Sequence, residues 1–416
     1  MGSYGSRDLR NLQEYPGKMS RPSAVVISPE APYPMHGGGA IRTASLLQYL
    51  APRFDVDLIL FRQAGDTDPA LSLPHNDGLA PRNVFTITLP FHSRRTLAWI
   101  LRNGQRWLLG APPLLHRFSG QEREIASFLV GRHYDLGLIE HFWCAPYVEQ
   151  LAPACAGTVL DLHNVESELH ASCARSGSWP LASVHARFER AYVREEMRWL
   201  PRFSHLLVAS EEDALRVHNL APETPVTVYR NALPKTPVPV VVEEDVIAFS
   251  GNFEYHPNIQ AVRFLVKDIW PRLAARFPDL KLRLIGKNPG AVAADLRGAP
   301  RIETTGPVED AVAELARAQV AIVPLLSGSG TRLKILEAWA AARPVVATSL
   351  GAEGLGGRPG VDIVIADTAE AFVASVAEML GSKERRRRIG CAARHTYEEA
   401  YTWETVWQSL PGNLFL

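Results

Sequence analysis

The sequence predicts an α/β protein built from two Rossmann-like, parallel-sheet domains. Short apolar runs of the kind buried on both faces of a parallel sheet recur along the chain and alternate with helical periodicity. Two of these runs, Ala24–Ser28 and Val320–Pro324, lead into glycine-rich loops (through Gly39, and Ser327–Gly330) and then into helical patterns, Ile41–Leu50 and Thr331–Ala342. The 416 residues suffice for two domains of ordinary size, each with its own core.

In chain order, residues 1–21 are polar, without periodicity, and read as a disordered leader. Residues 22–233 form the first domain. Its strands are Ala24–Ser28, Val56–Phe61, Val84–Leu89, a run from Tyr134 ending in Glu140 and His141, a run from Thr158 with His163 at its carboxyl end, Leu206–Ser210, and a run from Val226 to Ala232. Residues 91–118 are basic and aromatic, with Leu97, Ile100, Leu101 and Leu108 on one side of a helix interrupted at Gly104. Such a segment either lies on a membrane surface or turns its apolar side to the core and its arginines to solvent. Residues 181–200 form a long charged helix, and the proline- and valine-rich run 234–241 is a linker. The second domain, 242–395, takes strands at Val246–Asn252, Leu280–Ile285, Ile302–Gly306, Val320–Pro324, Pro344–Ala347 and Ile363–Ala366, with helices at Ile259–Arg272 and Glu384–Arg394. Residues 396–416, aromatic from Tyr397 to Trp407, are expected to pack back across the first domain.

The chemistry concentrates around residues 324–348. Ser329 or Thr331 can cap the helix, Gly330 lets backbone approach a ligand, and the helix start offers unpaired N–H groups with Arg332 and Lys334 in its first turn. That combination suits a phosphate. Glu337 lies two turns in, about 9 Å along the axis at 1.5 Å per residue, where a carboxylate would meet the diol of a ribose attached to that phosphate. The competing reading is an ordinary strand-to-helix turn with Lys334 and Glu337 as a solvated i,i+3 pair. In the first domain, Gly38 and Gly39 end a run of three glycines, more than a turn needs, and are assigned to close approach of donor or acceptor. Glu140, His141 and His163 sit at carboxyl ends of strands, where open α/β sheets bind ligands.

Residues 330–355, Gly-Thr-Arg-Leu-Lys-Ile-Leu-Glu-Ala-Trp onward, resemble the nucleotide-sugar signature of the group 1 (family 4) glycosyltransferases. The resemblance implies the GT-B fold, two Rossmann-like domains across a cleft, and a retaining, metal-independent transfer from a nucleotide-diphosphate sugar, with no other cofactor. It implies that His163, in Leu-His-Asn-Val-Glu, contacts the transferred sugar, with His141 and Glu140 as further acceptor or sugar contacts. Donor binding then falls to Gly38, Gly39, Gly251, Asn252, Val308 (in a Gly-Pro-Val turn like the family's base-binding loop), Ser329, Gly330, Thr331 and Glu337. Two departures stand out: Ser329 replaces the first glutamate of the family's E-x7-E pattern, and the cations usually found just after the Val246–Ser250 strand are missing. Leaving-phosphate charge is therefore assigned to Arg332 and Lys334.

Lysine plus arginine equals aspartate plus glutamate at 44 each, which excludes a charge-driven partnership with nucleic acid. Two D-x-D patterns, Asp55-Val-Asp57 and Asp66-Thr-Asp68, fall at a strand start and in a loop, and no catalytic metal is assigned to them. The four cysteines have no C-x-x-C spacing and no metal-like histidine neighbours in the sequence, so they read as free thiols in a reducing cytoplasm. No apolar run has the length of a membrane span and the start does not read as a signal peptide. The expectation is a cytoplasmic enzyme, with residues 91–118 as a peripheral contact on the inner membrane face. Its partners are a nucleotide-sugar donor and a saccharide or lipid-linked acceptor in cell-surface polysaccharide or glycoconjugate synthesis. A nucleotide-sugar epimerase or hydrolase of the same fold, and a non-catalytic sugar-nucleotide-binding subunit, are the alternatives; donor turnover with and without an acceptor separates the three.

Overall fold

The computed structural model describes residues 21–35, 37–74, 80–90, 96–176, 179, 181–328 and 332–411, with the side chains of 96–100 excepted. The predicted Ser329, Gly330 and Thr331 fall outside the described residues.

Two parallel sheets organise the molecule. The first contains β1 (Ser23–Ser28), β2 (Asp55–Gln63), β3 (Asn83–Leu89), β4 (Tyr134–Glu140), β5 (Cys155–Asp161), β6 (His205–Val208) and β7 (Val226–Val228), in the order β3-β2-β1-β4-β5-β6-β7. The second contains β8 (Val246–Ser250), β9 (Lys281–Ile285), β10 (Ile302–Gly306), β11 (Val320–Val323), β12 (Val345–Ala347) and β13 (Val364–Ile365), in the order β10-β9-β8-β11-β12-β13. In β1, Ala24 and Val26 belong to one apolar cluster and Val25 and Ile27 to another, all fully buried. Burial on both faces is why these strands read as continuous apolar runs rather than alternating ones. The strand order reverses direction between β1 and β4 and between β8 and β11. These two switch points are where doubly wound sheets open a crevice beyond their carboxyl ends.

Several helices depart from their expected limits for identifiable reasons. The helix predicted to start at Ile259 begins at His256, makes one wide turn at Leu265–Ile269, and resumes as Trp270–Arg276. Pro271 lacks the N–H that a regular turn would use there. The Thr96–Leu109 helix runs unbroken through Gly104. Leu101, Leu108 and Leu109 on it are exposed while Arg106 is buried, the reverse of an apolar-side-in arrangement. The Lys383–Ala400 helix continues past the expected domain limit at residue 395.

The C-terminal helix Trp403–Trp407 ties the chain end to the first domain. Trp407 Nε1 donates to Ser45 Oγ at 3.1 Å, Trp403 Nε1 donates to the Ala232 carbonyl at 3.1 Å, and Leu233 pairs with Thr402. Further contacts cross the cleft itself: Gly328 N–H donates to Ser172 Oγ (3.1 Å), and Arg216 pairs with Glu353 (3.0 Å). No helix among the described residues is long and apolar enough to cross a membrane.

Candidate active site between the two domains

At the first switch point, the carboxyl end of β4 supplies Glu140 and His141, and the end of β5 supplies Asp161 and, two residues on, His163. All four are buried. His163 Nε2 lies 2.7 Å from Glu140 Oε2 and 3.3 Å from Asp161 Oδ2. Arg42, on the Gly38–Leu50 helix, grips Asp161 with two bonds, Nε to Oδ2 at 2.7 Å and Nη2 to Oδ1 at 2.5 Å, and its Nη1 donates to Tyr229 O (2.6 Å) and Asn231 Oδ1 (2.9 Å). Thr43 Oγ1 donates to Glu140 Oε2 at 3.2 Å.

Burial alone would lower the pKa of His163, but hydrogen bonds to Asp161 and Glu140, with their charges, push it up to about 9. Burial would likewise raise Asp161, and Arg42 and His163 outweigh it, holding that carboxyl well below the usual range. Burial, reinforced by the charge of Asp161, raises Glu140. Glu140, Asp161 and His163 are close enough together to hold a metal ion, yet the guanidinium and the imidazolium already supply their counter-charges.

His141 is set differently. Its backbone stands at φ 65, an uncommon conformation for a residue with a side chain, and its ring is stacked on Trp143 (4.2 Å between centroids) and on His163 (3.5 Å). Burial, then the charge of His163, drives its pKa well below the ordinary value, so it is neutral. Its buried Nε2 has no hydrogen-bond partner; Glu30 Oε2 stands 4.0 Å away. A Cβ on Gly39 would come within 3.1 Å of that nitrogen and 2.3 Å of Glu30 Oε2, and one on Gly38 would come within 3.0 Å of Leu333 Cδ1 in the second domain. Gly37 adopts φ 109. Each of the three glycines thus meets a demand made by the protein itself, a left-handed turn or a close approach to a neighbouring side chain.

At the second switch point, β8 ends in Ser250, whose hydroxyl donates to Glu337 Oε2 at 3.0 Å. Glu337 and Lys334 stand on the Leu333–Ala340 helix that follows β11. Arg332 is the residue before that helix and makes no side-chain cap to it; the capping expected of Ser329 or Thr331 falls outside the described residues. Lys334 is partly exposed and lies 5.9 Å from the centre of the Phe249 ring. Burial and the charge of Arg332 lower its pKa to about 8, against the opposing pull of Glu337. Burial, against the hydrogen bond from Ser250, raises Glu337. The pair is therefore not a solvated surface bridge: both groups are engaged with β8. Arg332 is buried, its guanidinium tucked under Gly328, where a Cβ would meet both Nη atoms at 3.1 Å.

The remaining predicted residues have local duties. Asn252 Oδ1 accepts from Glu254 N (3.1 Å) and Asn288 Nδ2 (3.0 Å), and a Cβ on Gly251 would strike the Asn258 amide at 2.7 Å. Val308 is half-buried against the second-domain core. The structure thus brings Glu140, His141, His163, Gly38 and Gly39 together at one switch point and Arg332, Lys334 and Glu337 at the other, joined through Gly38 and Leu333. Sequence reasoning missed Arg42, Asp161 and Ser250. Asp161 was open to suspicion, as an acid inside the otherwise apolar strand Thr-Val-Leu-Asp-Leu; Arg42 was hidden in a helix whose partners are distant in sequence.

Comparison with known proteins agrees with this fold. Residues 244–382 match the family described as "Glycosyl transferases group 1". A Klebsiella pneumoniae protein described as an uncharacterized 44.6 kDa protein in the cps region is 26% identical over 172 residues, covering 39% of this chain. The match spans only 44% of that relative's own length. Among solved structures, sucrose-phosphate synthase from Thermosynechococcus elongatus superposes with a TM-score of 0.68 at 16% identity, covering 93% of this chain and 96% of its own. Anabaena HepE, solved with UDP and glucose, gives 0.62 at 14% identity over 93% and 97%. A UDP-forming trehalose-phosphate synthase from Burkholderia xenovorans, solved with glucose-6-phosphate, gives 0.61 at 14% identity over 93% and 98%. At these identities the structural likeness speaks for the fold.

Proposed function

We propose, from the match of residues 244–382 to the group 1 glycosyltransferases and the GT-B fold of the chain, that the protein transfers a sugar, with retention, from a nucleoside-diphosphate donor to a saccharide or lipid-linked acceptor. The observation that carries the reading is the paired constellation at the two switch points: Lys334 and Glu337 on the helix that follows β11, and a buried histidine pair beyond β4 and β5. The diphosphate sits at the start of the Leu333–Ala340 helix, where N–H groups, Lys334 and Arg332 offset its charge. Glu337 takes the ribose diol, with the Ser250 hydroxyl holding one of its oxygens in place.

Negative charge grows on the leaving phosphate as the glycosidic bond breaks, so cations fixed beside it stabilise the transition state more than the ground state. The leaving phosphate helps deprotonate the acceptor on the same face, and no protein base is assigned. His163 Nε2 is occupied by two carboxylates, whereas His141 Nε2 has no partner. His141 is therefore the stronger candidate for a hydrogen bond to a sugar hydroxyl, with charged His163 stacked behind it. The cps-region relative favours a role in polysaccharide synthesis, on the cytoplasmic side. The exposed Leu101, Leu108 and Leu109 favour peripheral contact with a membrane; binding to anionic vesicles that Leu108→Asp leaves unchanged would refute that contact.

The test is release of nucleoside diphosphate from a panel of donor sugars, with and without a panel of acceptors, and the product's anomeric configuration read by NMR. Acceptor-dependent release with a retained anomer supports the proposal. Acceptor-independent conversion favours an epimerase or hydrolase, and binding without turnover favours a non-catalytic subunit. No divalent ion is assigned to the diphosphate, so the rate should be the same with added Mg²⁺, added Mn²⁺ or neither.

A further inference from the structure

A second cluster of metal-ligating side chains lies between the domains, outside the constellation described above. Cys173 is on the Glu166–Ser176 helix, His185 on the Leu181–Trp199 helix, and His256 opens the His256–Phe264 helix of the second domain. One ligand atom from each lies within 4.8 Å of the other two. The sequence hid this grouping, because Cys173 and His256 are far apart in the chain and no short motif links them. From this juxtaposition we infer that Cys173, His185 and His256 bind one divalent transition metal of the zinc class, bridging the two domains beside the loop that leads to Arg332.

The donor set selects the metal. One thiolate and two imidazoles suit Zn²⁺ or Co²⁺, whereas Mg²⁺, Ca²⁺ and Mn²⁺ prefer oxygen ligands. Tetrahedral bonds of about 2.3 Å to sulfur and 2.0–2.1 Å to nitrogen place ligand atoms roughly 3.3–3.6 Å apart. The present spacing, within 4.8 Å, has to tighten by up to about 1.5 Å to reach that geometry. The buried Nδ1 of His256 has no hydrogen-bond partner, an arrangement that is costly unless something binds it.

The surroundings prepare the site further. His170, one turn before Cys173, places its Nδ1 3.1 Å from the Nδ1 of His185. One of these nitrogens donates to the other; if His185 donates, its tautomer is fixed and Nε2 is left as the ligating atom, the usual outer-shell arrangement of metal-bound histidine. Burial lowers the pKa of His170, His185 and His256, so all three are neutral, the state in which imidazole binds metal. The thiol is protonated before binding, since burial raises it against the opposing effects of Ser327 and Arg332. Loading the site is therefore the exchange of one thiol proton for a metal–sulfur bond, with the proton released to solvent. Three protein ligands leave a fourth position for water. Because the ligands come from both domains, metal binding and closure of the cleft at Ser172 and Gly328 share one equilibrium.

The test uses the full chain carrying Cys391→Ser, which removes the exposed thiol. Stripped protein is titrated with Co²⁺ and with Zn²⁺. The expected result is one metal per chain, about one proton released, and a thiolate-to-cobalt charge-transfer band that Cys173→Ser abolishes. His256→Ala should weaken binding by about 100-fold or more, and His170→Asn, which keeps all three ligands, by about 10–100-fold, the range for outer-shell partners. Unchanged affinity in Cys173→Ser or His256→Ala, or a cobalt complex without the thiolate band, overturns the inference. Should a variant misfold, X-ray absorption of the wild-type zinc protein decides: one sulfur at about 2.3 Å supports the site, and a shell of nitrogen and oxygen alone refutes it. None of these readouts depends on sugar transfer.

Discussion

Replacing Arg42 by methionine tests whether the buried ion cluster holds the first-domain half of the site in shape. Arg42 and Asp161 are almost wholly buried, with side chains 2% and 0% exposed. The guanidinium makes four hydrogen bonds, two to Asp161, one to the Tyr229 carbonyl and one to Asn231. Its removal leaves Asp161 with His163 at 3.3 Å as its remaining cation and strands a buried carbonyl. Breaking a buried pair by removing one partner costs about 3–5 kcal/mol. In a domain of this size that corresponds to a fall in melting temperature of about 6–20 °C. Urea unfolding of wild type, Arg42→Met, Asp161→Asn and the double variant completes a cycle, in which the double variant should lose less than the sum of the singles by about 2–3 kcal/mol. An Arg42→Met protein within about 1 kcal/mol of wild type, or strictly additive singles, would refute the assignment of Arg42 as the anchor of Asp161.

His163 has a folded-state pKa raised from 6.5 to about 9, so its stabilisation is complete below about pH 6.5 and is lost as pH rises through about 9. Relative to His163→Gln, wild type should lose about 3 kcal/mol of unfolding free energy across that window; parallel pH profiles of the two proteins would count against the raised pKa. Lys334→Ala should lower kcat by about 100-fold or more, the scale of losing one electrostatic stabiliser, and Lys334→Arg should restore only part of it because the planar fork has a different reach. A kcat within twofold would remove Lys334 from the leaving phosphate. Glu337→Ala should weaken nucleoside-diphosphate binding by roughly 1.5–3 kcal/mol, the worth of a charge-assisted hydrogen bond, and unchanged calorimetric affinity would end the ribose role. Lys334 titrates at about 8 because of burial and Arg332, and a bound diphosphate raises it. Near pH 8 nucleotide binding should therefore take up protons, seen as a binding enthalpy that varies with the buffer's ionisation enthalpy.

The parts that were legible in the sequence are those set by local pattern. β1, β4, β8 and β11 are buried on both faces, and Val25-Val26-Ile27 or Val320-Ala-Ile-Val323 show it as unbroken apolar runs. The glycine run before the Gly38–Leu50 helix was legible too, although Gly38 and Gly39 turn out to answer to Leu333, Glu30 and His141. The ion cluster was not, because its members pair across long separations: Arg42 reaches Asp161, 119 residues away. A charged residue within an amphipathic helix ordinarily signals solvent, and only the sheet order places Arg42 over β5. The Thr96–Leu109 helix was only half legible: its pattern fitted a core-facing side and a surface-lying one equally, and among its described side chains Leu101 and Leu108 lie exposed while Arg106 is inside.

The two switch points solve opposite electrostatic problems. In the first domain, Arg42, Asp161, His163 and Glu140 offset one another, and such buried ionic groups contribute little stability beyond what well-packed apolar residues would give. What the cluster supplies is orientation: it locks the His163 ring, and the His163 and Trp143 rings sandwich His141 with its Nε2 unpartnered. In the second domain the charges are held apart. Glu337 is drawn to Ser250, and Lys334 rests near the Phe249 ring with its pKa depressed. A cation kept partly desolvated in this way gains when an anion arrives, because the cost of removing it from water is already met in the folded protein. A site for a neutral sugar therefore needs a rigid, internally balanced wall, and a site for a diphosphate needs an incompletely balanced one. On the proposed function, the balanced wall faces the sugar and the incompletely balanced one the diphosphate, and the contact of Gly38 with Leu333 joins them.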